Sequence, residues 1–160
     1  ISLSKNKEII LGMADIPALD ERYIGHSKLS YKISNSKRTK LKVRKTVELR
    51  DSILNTTSPY VFANKYDQKI FERLADDVKT VRLGGDCYSY CLLADGHIDL
   101  VIESGLKPWD IRALEPIILN AGGIIKTWEG NSILHGGRII AATNDKLFKK
   151  IKKEMKKKPS

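Results

Sequence analysis

Hydrophobic and polar positions alternate from the first residues of the chain. The stretch "ISLSKNKEIILGMADIP" reads as two strands around the polar turn "SKNK", with Ile9, Ile10 and Leu11 as an apolar run. "ERYIGHSKLSYKI" continues as strand, with Gly25 as a turn signal, and "SNSKRTKLKVRK" is a basic loop leading into a short alternating strand through Leu41 and Val43. "VELRDSILNTTSPYVF" holds a short helix or turn, then an apolar piece from Ser52 to Leu54. In "NKYDQKIFERLADDVKT" the residues Ile70, Phe71 and Leu74 recur at helical spacing, with Val78 four further on. That spacing predicts an amphipathic helix lying on a sheet.

From "TVRLGG" onward the pattern becomes strand–helix–strand–helix. "KTVRL" is a strand running into a Gly-Gly turn. "DCYSYCLLADG" is a helix with Asp86 as N-cap and Gly96 just past its end. "IDLVIES" is a buried strand with Glu103 at its end, and "WDIRALEPIILNAGG" is one helix. "GIIKTWEG" and "GRIIAAT" add two strands, and the lysine-rich end forms a last helix. Strands alternating with helices predict a layered α/β sandwich whose sheet is parallel or mixed. Residues 1–50 are strand-rich, 51–145 carry the α/β pattern, and 146–160 read as a basic tail.

The length of 160 residues suits one domain with its own core. No run approaches the roughly 18 apolar residues of a membrane span, and "ISLSKNKEII" lacks the basic and apolar segments of a signal peptide. The chain starts without Met, so it is expected to be a piece of something longer. Of the net charge of +10, the end "KLFKKIKKEMKKKPS" supplies +7 and leaves the body at +3. A nucleic-acid partner is therefore suggested by the tail alone, and terminal charge runs are usually solvated. Cys87 and Cys91 lie four apart without a second pair at zinc spacing. They read as buried free thiols in a reducing cytoplasm.

Few residues stand out for chemistry. Asp110 is either a helix cap or a carboxylate held out to a hard cation, which takes one or two carboxylates plus phosphate. Glu103 precedes it by seven residues, and α/β proteins bind ligands at the carboxyl ends of strands. Gly84, Gly85 and Asp86 open a helix, where unobstructed N–H groups and the helix dipole favour an anion, or else form a plain tight turn. Arg82 adds a positive charge there or is a surface residue. "NTTSP" is a turn, with Thr57 and Ser58 the candidates for lining a pocket. His26, His97 and His135 pair with no nucleophile, which argues against a catalytic triad.

Taken together, "GGDCYSYCLLADGHIDLVIESGLKPWDIRALEPIILNAGGIIKTWEG" resembles the C-terminal signature of the inositol monophosphatase superfamily. Trp109 to Gly123 resembles its Trp-Asp…Ala-Gly-Gly motif. "GGDCYSY", "ESGLKPWD", "LGMADIPALDERYIG" and "LNTTSP" are most similar to its histidinol-phosphate phosphatase branch. The resemblance implies the C-terminal part of a sugar-phosphatase fold: a partial phosphatase domain over 1–145, in which 1–50 completes an N-terminal subdomain and 51–145 forms the C-terminal one. It implies a Mg²⁺-dependent phosphomonoesterase acting on a small phosphorylated metabolite, with L-histidinol phosphate favoured. By position, Asp110 matches a metal-binding Asp, and Gly84, Gly85, Asp86 and Glu103 match contacts to the organic part of the substrate. Asp86 beside a cationic imidazole or amine is a sensible charge match.

The sequence also departs from that family. Its other metal ligands, a helix-borne Glu and an Asp-Pro-(Ile/Leu)-Asp-Gly-Thr segment, do not occur here. One carboxylate does not assemble a multi-metal site, so no catalytic residue is assigned and activity is expected to need the missing N-terminal half. The rival reading is a non-catalytic remnant whose lysine-rich tail contacts acidic partners. Absence of that half is expected to expose an apolar face or sheet edge, inviting a homo-oligomer or an N-terminal partner half.

Overall fold

The computed structural model describes residues 1–157, which form two five-stranded sheets and their helices. The first sheet is an antiparallel meander of β1 (Ser2–Lys5), β2 (Glu8–Ile16), β3 (Glu21–His26), β4 (Leu29–Ser34) and β5 (Lys37–Lys40). Three of its hairpins turn on two residues that both hold positive φ: Asn6–Lys7, Ser27–Lys28 and Asn35–Ser36. This is the type I′ geometry, whose twist matches that of the strands it joins. The turn expected at Gly25 is therefore made two residues later. The strand expected through Leu41 and Val43 ends at Lys40, and Leu41 instead buries its side chain in the core.

Gly25 has a different task. It pairs with Gly12 across β2 and β3, and a helix backbone lies directly on the pair. A Cβ on Gly12 would sit 1.9 Å from the Ala113 carbonyl oxygen, and one on Gly25 2.4 Å from the Ile117 nitrogen. Ser30 on the same face donates to the Ile117 carbonyl at 2.7 Å. Two glycines and a serine thus make a shallow seat in which helix and sheet meet backbone to backbone.

The second sheet is mixed and comprises β6 (Ile53–Thr56), β7 (Thr80–Leu83), β8 (Leu100–Leu106), β9 (Ile124–Thr127) and β10 (Gly137–Ala142) in the order β7-β6-β8-β10-β9. β6 runs parallel to β7 and β8, while β10 is antiparallel to β8 and β9. Helix α1 (Lys65–Asp77) is amphipathic as predicted and buries Ile70, Phe71 and Leu74. Helix α2 (Cys87–Ala94) is followed by α3 (Pro108–Ile111) and α4 (Leu114–Asn120). These two replace the single helix expected from Trp109, because Pro116 offers no N–H and crowds the carbonyl four residues back, at Arg112.

Helices α2 and α4 fill the space between the sheets, where Tyr23, Tyr90, Leu93, Ile111, Ile117 and Ile118 form one core. A second core on the far side of the mixed sheet joins α1 to α5 (Asp145–Met155) through Leu74, Leu147, Phe148 and Ile151. The lysine-rich segment is thus part of the folded layers as far as Lys157. Several of its charges are engaged: Lys149 with Asp145 at 2.5 Å, Lys150 with Glu48, Lys157 with Glu154, and Lys152 with the Glu129 carbonyl at 2.6 Å. Among the described residues no helix is long and apolar enough to cross a membrane.

Candidate functional site

The carboxyl ends of the parallel strands β6, β7 and the adjoining β8 point the same way. From them leave the three loops that carry most of the residues singled out by sequence. Glu103 lies within β8, not at its end, since the strand continues to Leu106. It is 2% exposed, yet among the described residues no cation pairs with it. Its Oε1 accepts from the Thr57 N–H at 3.1 Å and from the Thr57 hydroxyl, and its Oε2 accepts from the Tyr90 hydroxyl at 3.0 Å. Burial pushes the Glu103 carboxyl above its ordinary range, and the donors of Thr57 and Tyr90 only partly pull it back.

Tyr90 is the residue that sequence reasoning missed. It sits inside "CYSYC", where an aromatic on a buried helix reads as packing, and only the fold aims its hydroxyl at Glu103. Burial drives the Tyr90 phenol well above its ordinary pKa, and the negative charges of Glu103, Asp86 and Asp110 push the same way. Of the three acids, Glu103 is the one in hydrogen-bond contact with the Tyr90 hydroxyl, while Asp86 precedes α2 and Asp110 follows β8. Thr57, noted as a pocket candidate, joins Tyr90 through Glu103. Ser58 instead caps the turn that follows, accepting from the Tyr60 N–H at 3.2 Å.

The loop Gly84–Gly85–Asp86 connects β7 to α2, and all three residues hold positive φ, of 88°, 100° and 45°. Asp86 occupies the N-cap position as expected, but its side chain makes no capping hydrogen bond, and it is exposed. For a residue with a Cβ its backbone (φ 45°, ψ −130°) is strained. Arg82 is exposed and takes no part in this cluster.

Asp110 is not the N-cap of its helix. It is the third residue of α3, and its Oδ2 reaches back to accept from the Lys107 N–H at 2.7 Å. Among the described residues its other oxygen has no partner, and the side chain is exposed. Among the described residues, no three His, Cys, Asp or Glu side chains come together to hold a metal. Mg²⁺ needs more than one exposed carboxylate oxygen, so these residues do not fit the ion without ligands from elsewhere. The rim of the site is apolar: Tyr60, Leu83 and Trp109 are 89%, 59% and 79% exposed.

Comparison with known proteins bears on the family and the fold. The inositol monophosphatase family matches residues 1–160. The bifunctional phosphatase IMPL2 of Arabidopsis thaliana is 44% identical over 84% of this chain and 38% of its own length. The histidinol-phosphatase of Mycobacterium tuberculosis is 31% identical over 82% of this chain and 51% of its own. An inositol monophosphatase from Zymomonas mobilis superposes with a TM-score of 0.88 at 34% identity, covering 98% of this chain and 61% of that one. The chain thus spans between about two fifths and three fifths of these relatives.

Proposed function

We propose, from the premise that this chain belongs to the inositol monophosphatase family, that it forms the ester-binding part of a phosphomonoesterase. The observation that carries the reading is the buried Glu103, hydrogen-bonded to Thr57 and Tyr90, with Asp86 and Asp110 in the segments that follow β7 and β8 at the carboxyl ends of the strands. All three acids are acceptors, and Asp86 is left without a hydrogen bond from its own helix. An acceptor-rich pocket favours an organic group that donates hydrogen bonds and carries positive charge. L-Histidinol phosphate has both an imidazole and an amine, and is the substrate we favour. An inositol phosphate offers only hydroxyls to the same acceptors and is the fitting comparison. Gly84 and Gly85 let the organic group approach the backbone closely.

Mg²⁺ is the cofactor that the family resemblance implies. Asp110 would give it one oxygen, and the remaining ligands would come from residues outside this chain. The exposed Tyr60, Leu83 and Trp109 beside the site suit a covering partner, either a second copy or the half that supplies those ligands. The thiols of Cys87 and Cys91 are free, and burial pushes both pKa values up, which suits a reducing cytoplasm.

The test is Mg²⁺-dependent phosphate release from histidinol phosphate, with myo-inositol phosphate and an Asp110→Asn variant alongside. The chain is assayed alone and mixed with the segment of a relative that it does not span. The expected result is no release alone and release on mixing, faster with histidinol phosphate and lost in the variant. Release by the chain alone would overturn the account of its ligands. No release in any mixture would overturn the phosphatase reading itself.

A further inference from the structure

The strained loop before α2 is gripped from both sides. The Gly84 carbonyl accepts from Asn55 Nδ2 at 3.2 Å and from Ser89 Oγ at 3.0 Å. The Gly84 N–H is shared between the carbonyls of Thr56 at 3.1 Å and Thr57 at 2.9 Å. Asn55 belongs to β6, and Ser89 to the first turn of α2. The loop therefore cannot relax without breaking bonds to the sheet or to the helix.

Asn55 is costly where it stands. It is 4% exposed, and among the described residues no donor reaches its buried Oδ1. An apolar residue would suit a central strand better than an amide that uses half of its hydrogen-bonding capacity. Among the described residues, the one hydrogen bond this side chain makes is from Nδ2 to the Gly84 carbonyl. Two residues further on stands Asp86, strained, exposed and unused as a cap. Such a conformation persists only where its surroundings over-determine it.

We propose that Asn55 and Ser89 are positioning residues. By holding the Gly84 carbonyl they keep Asp86 at positive φ, with its carboxylate turned to a cationic, hydrogen-bond-donating group of the phosphate ester. This rests on the reading of Gly84–Asp86 as the subsite for the organic part of the substrate. Neither residue touches the ligand, so both act through Asp86.

The test uses the isotopically labelled 160-residue chain. The one-bond coupling between Cα and Hα of Asp86 separates positive from negative φ. It is expected to report positive φ in the native chain and negative φ in Asn55→Leu and in Ser89→Ala, with signals of the distant β1–β2 hairpin unmoved. Histidinol is then titrated in, with inositol as the neutral probe, and the Asp86 carboxyl carbon is followed. Asn55→Leu is expected to weaken histidinol binding about five- to tenfold, as Asp86→Asn does, with no further loss in the double variant. An unchanged coupling in both single variants would overturn the proposal, as would losses in the double variant that simply add. If the coupling follows Asn55 and Ser89 but histidinol moves no signal at Asp86, the positioning role stands and the substrate assignment falls.

Discussion

Strand β8 carries neighbouring side chains into two buried acids, one on each face of the sheet, and the two are treated differently. Behind the sheet, Asp67 is fully buried and meets a cation, Arg138, at 3.3 Å, with the Ser104 hydroxyl at 2.5 Å. On the α2 side, Glu103 is almost as buried but meets only neutral donors, Thr57 and Tyr90. A buried charge needs a partner, and hydrogen bonds from neutral groups satisfy its lone pairs without cancelling its field. Asp67 is therefore closed within the fold, tying α1 to β8 and β10. Glu103 keeps its negative potential on the α2 face of the sheet. Burial alone does not distinguish these two acids; the charge of the partner does.

The strongest way to break the contrast is to remove the cation. Arg138→Met should destabilise the fold by about 3 kcal/mol, because Asp67 is left buried without a countercharge. Urea unfolding followed by circular dichroism reads this, and a loss below about 1 kcal/mol would show that Asp67 does not depend on Arg138. Thr57→Val removes the hydroxyl donor from Glu103 and should cost about 2 kcal/mol, the range for hydrogen bonds to a charged group. Ser104→Ala should cost less, about 1 kcal/mol, because Arg138 still serves Asp67.

The finest discrimination comes from pH. The Glu103 carboxyl titrates above its unfolded value, so its contribution to stability is present in acid and is lost as pH rises through the raised folded value. Glu103→Gln should then gain on the native chain between pH 4 and pH 7. Glu21 provides the opposite sign on the other sheet. Burial pushes it up, but hydrogen bonds from Tyr23 and Tyr88 and the nearby Lys32 outweigh that and hold it low. Its contribution is present above the unfolded value and is lost as pH falls through the folded one, so Glu21→Gln should cost most at neutral pH. Thermal melts of both variants across that range would settle the signs, and parallel curves would refute the contrast.

Much of this was legible in the alternation of residues. Period-two runs gave strands of the first sheet though not their meander, helical spacing gave α1, and the strand–helix alternation after residue 80 gave the mixed sheet. What stayed hidden depended on contacts distant in sequence. Gly25 looks like a turn because glycine usually signals one, and nothing local reveals a helix backbone arriving from residue 117. Asp110 stands where a cap is expected, but Pro108 and Pro116 move the helix boundaries around it. Asn55 opens the polar "NTTSP", which reads as a turn, and Tyr90 lies in a helix that reads as core. Their polar atoms acquire meaning only when β6, β8 and α2 are brought side by side.

The glycine seat on the first sheet also bears on the order in which the molecule can be made. Residues 2–40 pair only with their immediate neighbours, so the meander is local and should form early. The helix that completes it is joined to Ser30 across 87 residues of chain. A ribosome adding about 5–20 residues per second therefore leaves the seat open for several seconds, with Tyr23 and Ala14 uncovered beside it. The sheet that is simplest to form is thus the one most in need of protection from its own kind during synthesis.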